Sequence, residues 1–205
     1  MDDPSLDLPI ETHADDAHRL LQAVGGTPAA VFGSSSGGQI ALALAAAHPD
    51  AVTTVVAHEP PAVLLLPESD PRRALPDQVD EAYRQGGVGA AMGVFAQGAG
   101  MAGGPAPESP EANARMAEKF ARMGANVEFF FTHIARPAAT YVPDLDMSAR
   151  IVVAVGDGSA GQLAHDTGLE LAARLGVKAE LVPGGHSGHV THPTAFAAKL
   201  RELLR

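Results

Sequence analysis

Three consecutive serines stand between glycines in Gly33-Ser34-Ser35-Ser36-Gly37, and the five residues fit the pattern G-x-S-x-G. That pattern holds a serine exposed on a turn so sharp that only small residues fit beside it. The turn opens a helix whose dipole and first N–H groups can stabilise an oxyanion. Two frames compete, because Ser34 and Gly38 also place small residues two positions either side of Ser36. Ser35 is the preferred nucleophile, having glycine on both flanks. A serine nucleophile needs a base, and the base needs a carboxylate to fix its tautomer. Both types follow downstream, in Gly156-Asp157-Gly158-Ser159 and then in Pro183-Gly184-Gly185-His186-Ser187-Gly188. His186 is the candidate base that takes the Ser35 proton and returns it to the leaving group, and Asp157 is the first candidate acid.

Residues so far apart in sequence can meet only if the fold brings them to one crevice, as the carboxyl ends of parallel strands do. The hydrophobic pattern supplies such strands. Apolar runs bounded by turn residues predict strands at Ala29 to Phe32, Ala51 to Ala57, Ile151 to Val155 and Lys178 to Val182. Helical spacing predicts helices at His13 to Val24, Gly38 to Ala47, Leu163 to Leu175 and Pro193 to Leu204. Strands alternating with helices define an α/β fold, three-layer α/β/α, with a mainly parallel sheet. The stretch from Pro67 to Thr140 has no strand signature. Helices are expected there at Pro71 to Gln85 and Pro110 to Phe131, with a flexible loop at Gly98 to Pro107. Residues 1–66 and 141–205 therefore form the core, and residues 67–140 a helical insertion.

Composition narrows the chemistry further. The chain has 205 residues, 46% of them hydrophobic and 19% charged, which suits one folded domain with an insertion. A net charge of -10 argues against nucleic acid or an anionic membrane as partner. With no cysteine, disulfides, thiolate nucleophiles and cysteine zinc sites are excluded. No apolar run approaches the ~20 residues of a membrane span, and Met1-Asp2-Asp3-Pro4 has no signal-peptide character. A soluble, cytoplasmic protein acting on a small molecule is the expectation. The abundance of Ala, Gly, Pro and Arg suggests a bacterial source.

The chain resembles the α/β-hydrolases over nearly its whole length. The order nucleophile, acid, histidine is that family's order. Specific likeness to a bacterial, lid-containing subgroup lies in Ala14 to Pro61, around VFGSSSGGQIALALAAAHPD, and in Val182 to Leu204, around VPGGHSGHVTHP. The resemblance implies Ser35 as nucleophile, His186 as base, the Ser36 backbone N–H as one oxyanion donor, and residues 67–140 as a lid. The family commonly carries its acid three residues after the glycine that closes the third strand, but Ser159 stands there. Asp157 is then one candidate. Glu59, in His58-Glu59-Pro60, is the rival, since some relatives supply the acid from that strand, and a third alternative is no triad acid. The family also places strands and an oxyanion loop before the first helix, roughly 55 residues of chain, whereas twelve residues precede His13 here. An N-terminally shortened fold is thus expected, with Ala29 to Phe32 as an apolar sheet edge that a second copy or another chain covers, so that a homodimer is expected.

A serine nucleophile points to acyl chemistry on an ester, lactone or thioester, and a lid rich in Ala, Met and Phe to a largely apolar substrate. The alternative is an impaired relative that binds a ligand or partner, or a non-hydrolytic catalyst on the same scaffold. Ser34 and His58 are candidate substrate contacts. His186, His189 and His192 recur at every third position, but as loop histidines without neighbouring carboxylates they are expected to hold no metal. Phe129-Phe130-Phe131 is expected in the lid core. Without a glycine-rich phosphate loop carrying lysine, no nucleotide cofactor is expected.

Overall fold

The computed structural model describes residues 8–100, 109–124 and 126–205. The expectations for residues 1–4 and for 101–107 of the loop lie outside the described residues. Helix α1 (Ile10–Ala23) leads into strand β1 (Ala29–Ser34), helix α2 (Ser36–Ala47) and strand β2 (Val52–His58). The insertion follows with α3 (Leu75–Gly98), α4 (Pro110–Gly124), α5 (Val127–Phe129) and α6 (Ala135–Thr140). The chain then returns through β3 (Arg150–Gly156), α7 (Leu163–Leu175), β4 (Glu180–Val182), α8 (Gly188–Thr191) and α9 (Pro193–Leu203).

All strand pairs among the described residues are parallel, in the order β1-β2-β3-β4. Successive side chains on a strand face opposite ways, and the sheet is covered on both sides accordingly. Val55, Ala57 and Val153 pack with Leu42 and Leu44 of α2, Ala14 of α1 and Leu171 of α7. Val56, Val152 and Ala154, pointing the other way, pack with Phe196 and Leu203 of α9. Three layers result, and α2 is apolar nearly all round because it lies between the sheet and α1. β4 is shorter than the expected 178–182. α7 ends on Gly176 in the left-handed conformation, φ 67°, and residues 177–179 carry the chain back to the sheet before pairing starts at Glu180.

The insertion departs from the expected pattern in two places. A 3-10 turn at Pro71–Ala74, capped by Asp70 accepting from the Arg72 N–H, precedes α3, which runs on to Gly98 through a kink at Gly87, φ 67°. The helix expected over 110–131 stops at Gly124 and resumes at Val127. A wide π turn at Phe130–Ile134 then joins α5 to α6. Its closing bond runs from Ala135 N to Phe130 O, five residues back. Pro137 has no N–H to donate to His133, and the His133 carbonyl accepts from Leu8 N at 3.1 Å.

A second apolar cluster gathers Leu75, Val79, Ala91, Val127 and Phe131, between β2 and β3, with Val63, Leu66 and Leu163. Arginines fasten it to the core. Arg72 bridges Asp70 and Asp166 of α7 at 2.7 Å each, and Arg73 donates to the carbonyls of Leu64 and Leu66. Leu42 is fully buried while Leu20 is 65% exposed. Leu42→Ala is therefore expected to cost about 2–5 kcal/mol in urea denaturation, and Leu20→Ala less than about 0.5 kcal/mol.

Candidate active site

β1 passes directly into α2 through Ser35, which takes φ 58°, ψ -131°. Such a conformation is costly for a residue with a side chain and persists only where the surroundings enforce it. Here the enforcing contacts are local. The Ser35 N–H continues the sheet by donating to His58 O at 2.9 Å, and the Ser35 carbonyl accepts from Gly38 N at 2.8 Å. A Cβ on Gly33 would overlap the backbone of Gly37 and Gly38, whereas one on Gly37 would meet nothing within 4 Å. The turn is thus built on Gly33, with Ser35 at its apex. Ser36 lies in the first turn of α2, where backbone N–H groups have no intrahelical acceptor.

Parallel register sets the acid. Ser34 pairs with His58, and His58 with Ala154, so the residues just after β1, β2 and β3 meet at one end of the sheet. Glu59 follows β2 with φ 46°, its N–H held by Ala154 O at 3.0 Å. The turn behind it is pinned by Thr167, whose buried hydroxyl donates to Pro60 O at 2.7 Å. The Glu59 side chain is fully buried. One oxygen, Oε2, lies 2.7 Å from His186 Nδ1; the other, Oε1, accepts from Gly156 N at 2.9 Å and from Ser159 Oγ. Burial alone pushes this carboxyl up, but the hydrogen bonds from His186 and Ser159, with the charge of His186, outweigh it and hold Glu59 at about 2.

Asp157 lies elsewhere. Its backbone continues alongside β4, with Asp157 N on Val182 O, and its carboxylate turns onto Gly184 N at 2.9 Å. Of the two carboxylates considered from sequence, the structure sets Glu59 against His186. Ser34 and His58 are not among the cavity-lining residues. Neighbouring strand positions join them to each other, Ser34 Oγ to His58 Nδ1 at 2.9 Å, and the buried His58 ring stacks 6.2 Å from that of His186. His189 meets the rings of His58 and Phe196, and His192 Nδ1 lies 2.9 Å from Thr191 Oγ1. Gly156 N and Ser159 are contributors that sequence reasoning did not find. Only the departure of Ser159 from the family pattern marked that position.

Ser35, Ser36 and His186 line one cavity with Val63, Leu75, Val79, Phe95, Phe130 and Leu163, residues largely from the insertion and its base. Asp80, Arg136 and Gln162 are its polar side chains beyond the site itself, and Arg136 donates to Asp77 and Asp80 at 2.6 Å. Phe131 is buried in the insertion core, while Phe130 reaches the cavity.

The sequence signature of the alpha/beta hydrolase fold matches residues 3–128. The chain belongs to the alpha/beta hydrolase family. A curated relative, an uncharacterized hydrolase YraK from Bacillus subtilis (strain 168), is 27% identical over 203 residues, covering 95% of this chain and 70% of that protein. Among solved structures, Est816, described as an N-acyl homoserine lactone degrading enzyme, superposes with TM-score 0.67 at 21% identity, over 98% of this chain and 77% of that one. A thermophilic esterase from Thermogutta terrifontis gives 0.66 at 21% identity, over 97% and 73%. These two likenesses bear on the fold alone.

The low position of Glu59 in this alpha/beta hydrolase predicts a pH dependence. Folded, the carboxyl titrates near 2; unfolded, near the ordinary 4.5. Its contribution is therefore complete above about pH 4.5 and lost as pH falls toward 2, about 3 kcal/mol in all. The urea midpoint is expected to fall between pH 5 and pH 3 in the wild type, and to fall less in Glu59→Gln.

Proposed function

We propose that the chain is a serine hydrolase that cleaves an ester, lactone or thioester of a largely apolar small molecule through Ser35, His186 and Glu59. The observation that carries this is the buried Glu59 carboxylate on His186 Nδ1. With the Nδ1 proton assigned to that contact, Nε2 is the basic nitrogen of a ring that lines the same cavity as Ser35.

In the proposed reaction, Ser35 Oγ attacks the substrate carbonyl carbon while His186 Nε2 takes the hydroxyl proton. The carbonyl oxygen becomes an oxyanion, which the Ser36 N–H at the start of α2 stabilises. Collapse of the tetrahedral adduct breaks the bond to the leaving oxygen or sulfur, which receives the proton from His186. Water then repeats the sequence on the acyl-serine and releases the acid. Glu59 remains ionised throughout and offsets the positive imidazolium. The apolar cavity wall supports an apolar substrate, and a serine at the turn supports acyl chemistry over alkyl-enzyme chemistry. The lactone-degrading and esterase descriptions of the two structural neighbours agree with that class. The insertion, which supplies much of the cavity wall, would act as the lid.

The test is turnover of p-nitrophenyl esters of graded chain length by purified protein. Ser35→Ala and His186→Ala are expected to abolish it, and Glu59→Gln to lower kcat by about 10⁴-fold, while Asp157→Asn stays close to wild type. Turnover that survives Ser35→Ala, or that depends on Asp157 and not on Glu59, would contradict the proposal.

A further inference from the structure

We propose that Ser159 is a positioning residue that aims Glu59 at His186, an inference that rests on the reading of Glu59 and His186 as one catalytic pair. Ser159 is completely buried and is not among the cavity-lining residues, so it has no surface from which to meet substrate. Its hydroxyl lies within reach of two acceptors, the Gly156 carbonyl at 3.1 Å and Glu59 Oε1. A hydroxyl carries one proton. An ionised carboxylate is the stronger acceptor of the two, so the proton goes to Glu59.

The consequence is geometric. A carboxylate held only through His186 could turn about its terminal torsion, which is broad and nearly two-fold. Two donors on Oε1, the Gly156 N–H and the Ser159 O–H, leave Oε2 a single direction, toward His186 Nδ1 at 2.7 Å. The donors come from the last residue of β3 and the turn just after it, so the end of that strand orients a carboxylate borne at the end of β2. The space around Ser159 is restricted as well. A Cβ on Gly156 would come within 2.8 Å of Ser159 Oγ, so a side chain at that position would crowd the hydroxyl.

Losing the hydroxyl leaves the Gly156 N–H as the single donor on Oε1, which loosens the aim of the carboxylate and makes it more basic, without altering the cavity. In Ser159→Ala, kcat for an ester substrate is expected to fall about ten-fold or more, the rate equivalent of one hydrogen bond to a charged group. KM should stay near wild type, and the acidic limb of kcat/KM should move to higher pH because the Glu59–His186 pair holds its proton longer. Ser159→Cys, which nearly keeps the volume and retains a weak donor, should fall between the two and decides the matter if the alanine variant does not fold. A second readout needs no turnover: the low-field Nδ1–H resonance of His186 in proton NMR, expected in the wild type, broadened in Ser159→Ala and lost in Glu59→Gln. Should the wild type show no Ser35-dependent turnover, the catalytic reading fails and the resonance still judges the positioning. A resonance unchanged in Ser159→Ala but lost in Glu59→Gln, or a change confined to KM, would overturn the role given to Ser159.

Discussion

The site depends on the register of three parallel strands. Because Ser34 lies beside His58, and His58 beside Ala154, Ser35 and Glu59 leave the sheet side by side, next to the last residues of β3, Val155 and Gly156, and the turn that follows them. No long-range search of conformations is needed to bring them together once the strands pair. A shift of one residue would turn each side chain to the opposite face, separating Val55 and Ala57 from the α2 layer and Val56 from the α9 layer. The apolar layers that stabilise the fold therefore also fix the polar residues at its end.

Both strand exits carry unfavourable backbone. Ser35 and Glu59 are the non-glycine residues with positive φ among those described, and each such conformation costs on the order of 1–3 kcal/mol. What opposes the cost is hydrogen bonding. The N–H of Ser35 extends the β1–β2 ladder, the N–H of Glu59 extends the β2–β3 ladder, and the Glu59 carboxylate collects donors on both oxygens. At Ser35 a further constraint is steric, since Gly33 leaves no room for a side chain against Gly37 and Gly38. Strain at these two points lifts one side chain into the cavity and turns the other onto the histidine.

Much of this was legible in the sequence, for identifiable reasons. The first three strand runs are strongly apolar and the helices around the sheet are long, and the turn at Gly33 to Gly37 has a composition that few other structures require. Ser35 and His186 follow from that pattern and lie on one cavity. The choice of carboxylate did not follow, because it depends on which side chain folds back on its own loop. Asp157, though next to Gly156, is drawn onto Gly184 N, while Glu59 reaches inward only because its backbone takes φ 46° just before Pro60. The stretch between β2 and β3 was legible as helical, but its details combine local and tertiary contacts: Asp70 caps the 3-10 turn two residues on, and the His133 carbonyl is taken by the distant Leu8 N. Ser159 was visible only as an absence of acid, since nothing local in the sequence says which carboxylate its hydroxyl will meet.

In the proposed mechanism Ser35 is activated through His186 by Glu59 and not by Asp157. The rate at which an organophosphonate ester modifies Ser35, followed by intact-mass spectrometry with the site mapped by peptide sequencing, tests it most directly, since it depends on the nucleophile and not on a correct substrate. Rapid single-site labelling of Ser35 is expected in the wild type and in Asp157→Asn, with labelling slowed by orders of magnitude in Glu59→Gln and His186→Ala. Labelling at another residue, or labelling that slows in Asp157→Asn and persists in Glu59→Gln, would contradict it.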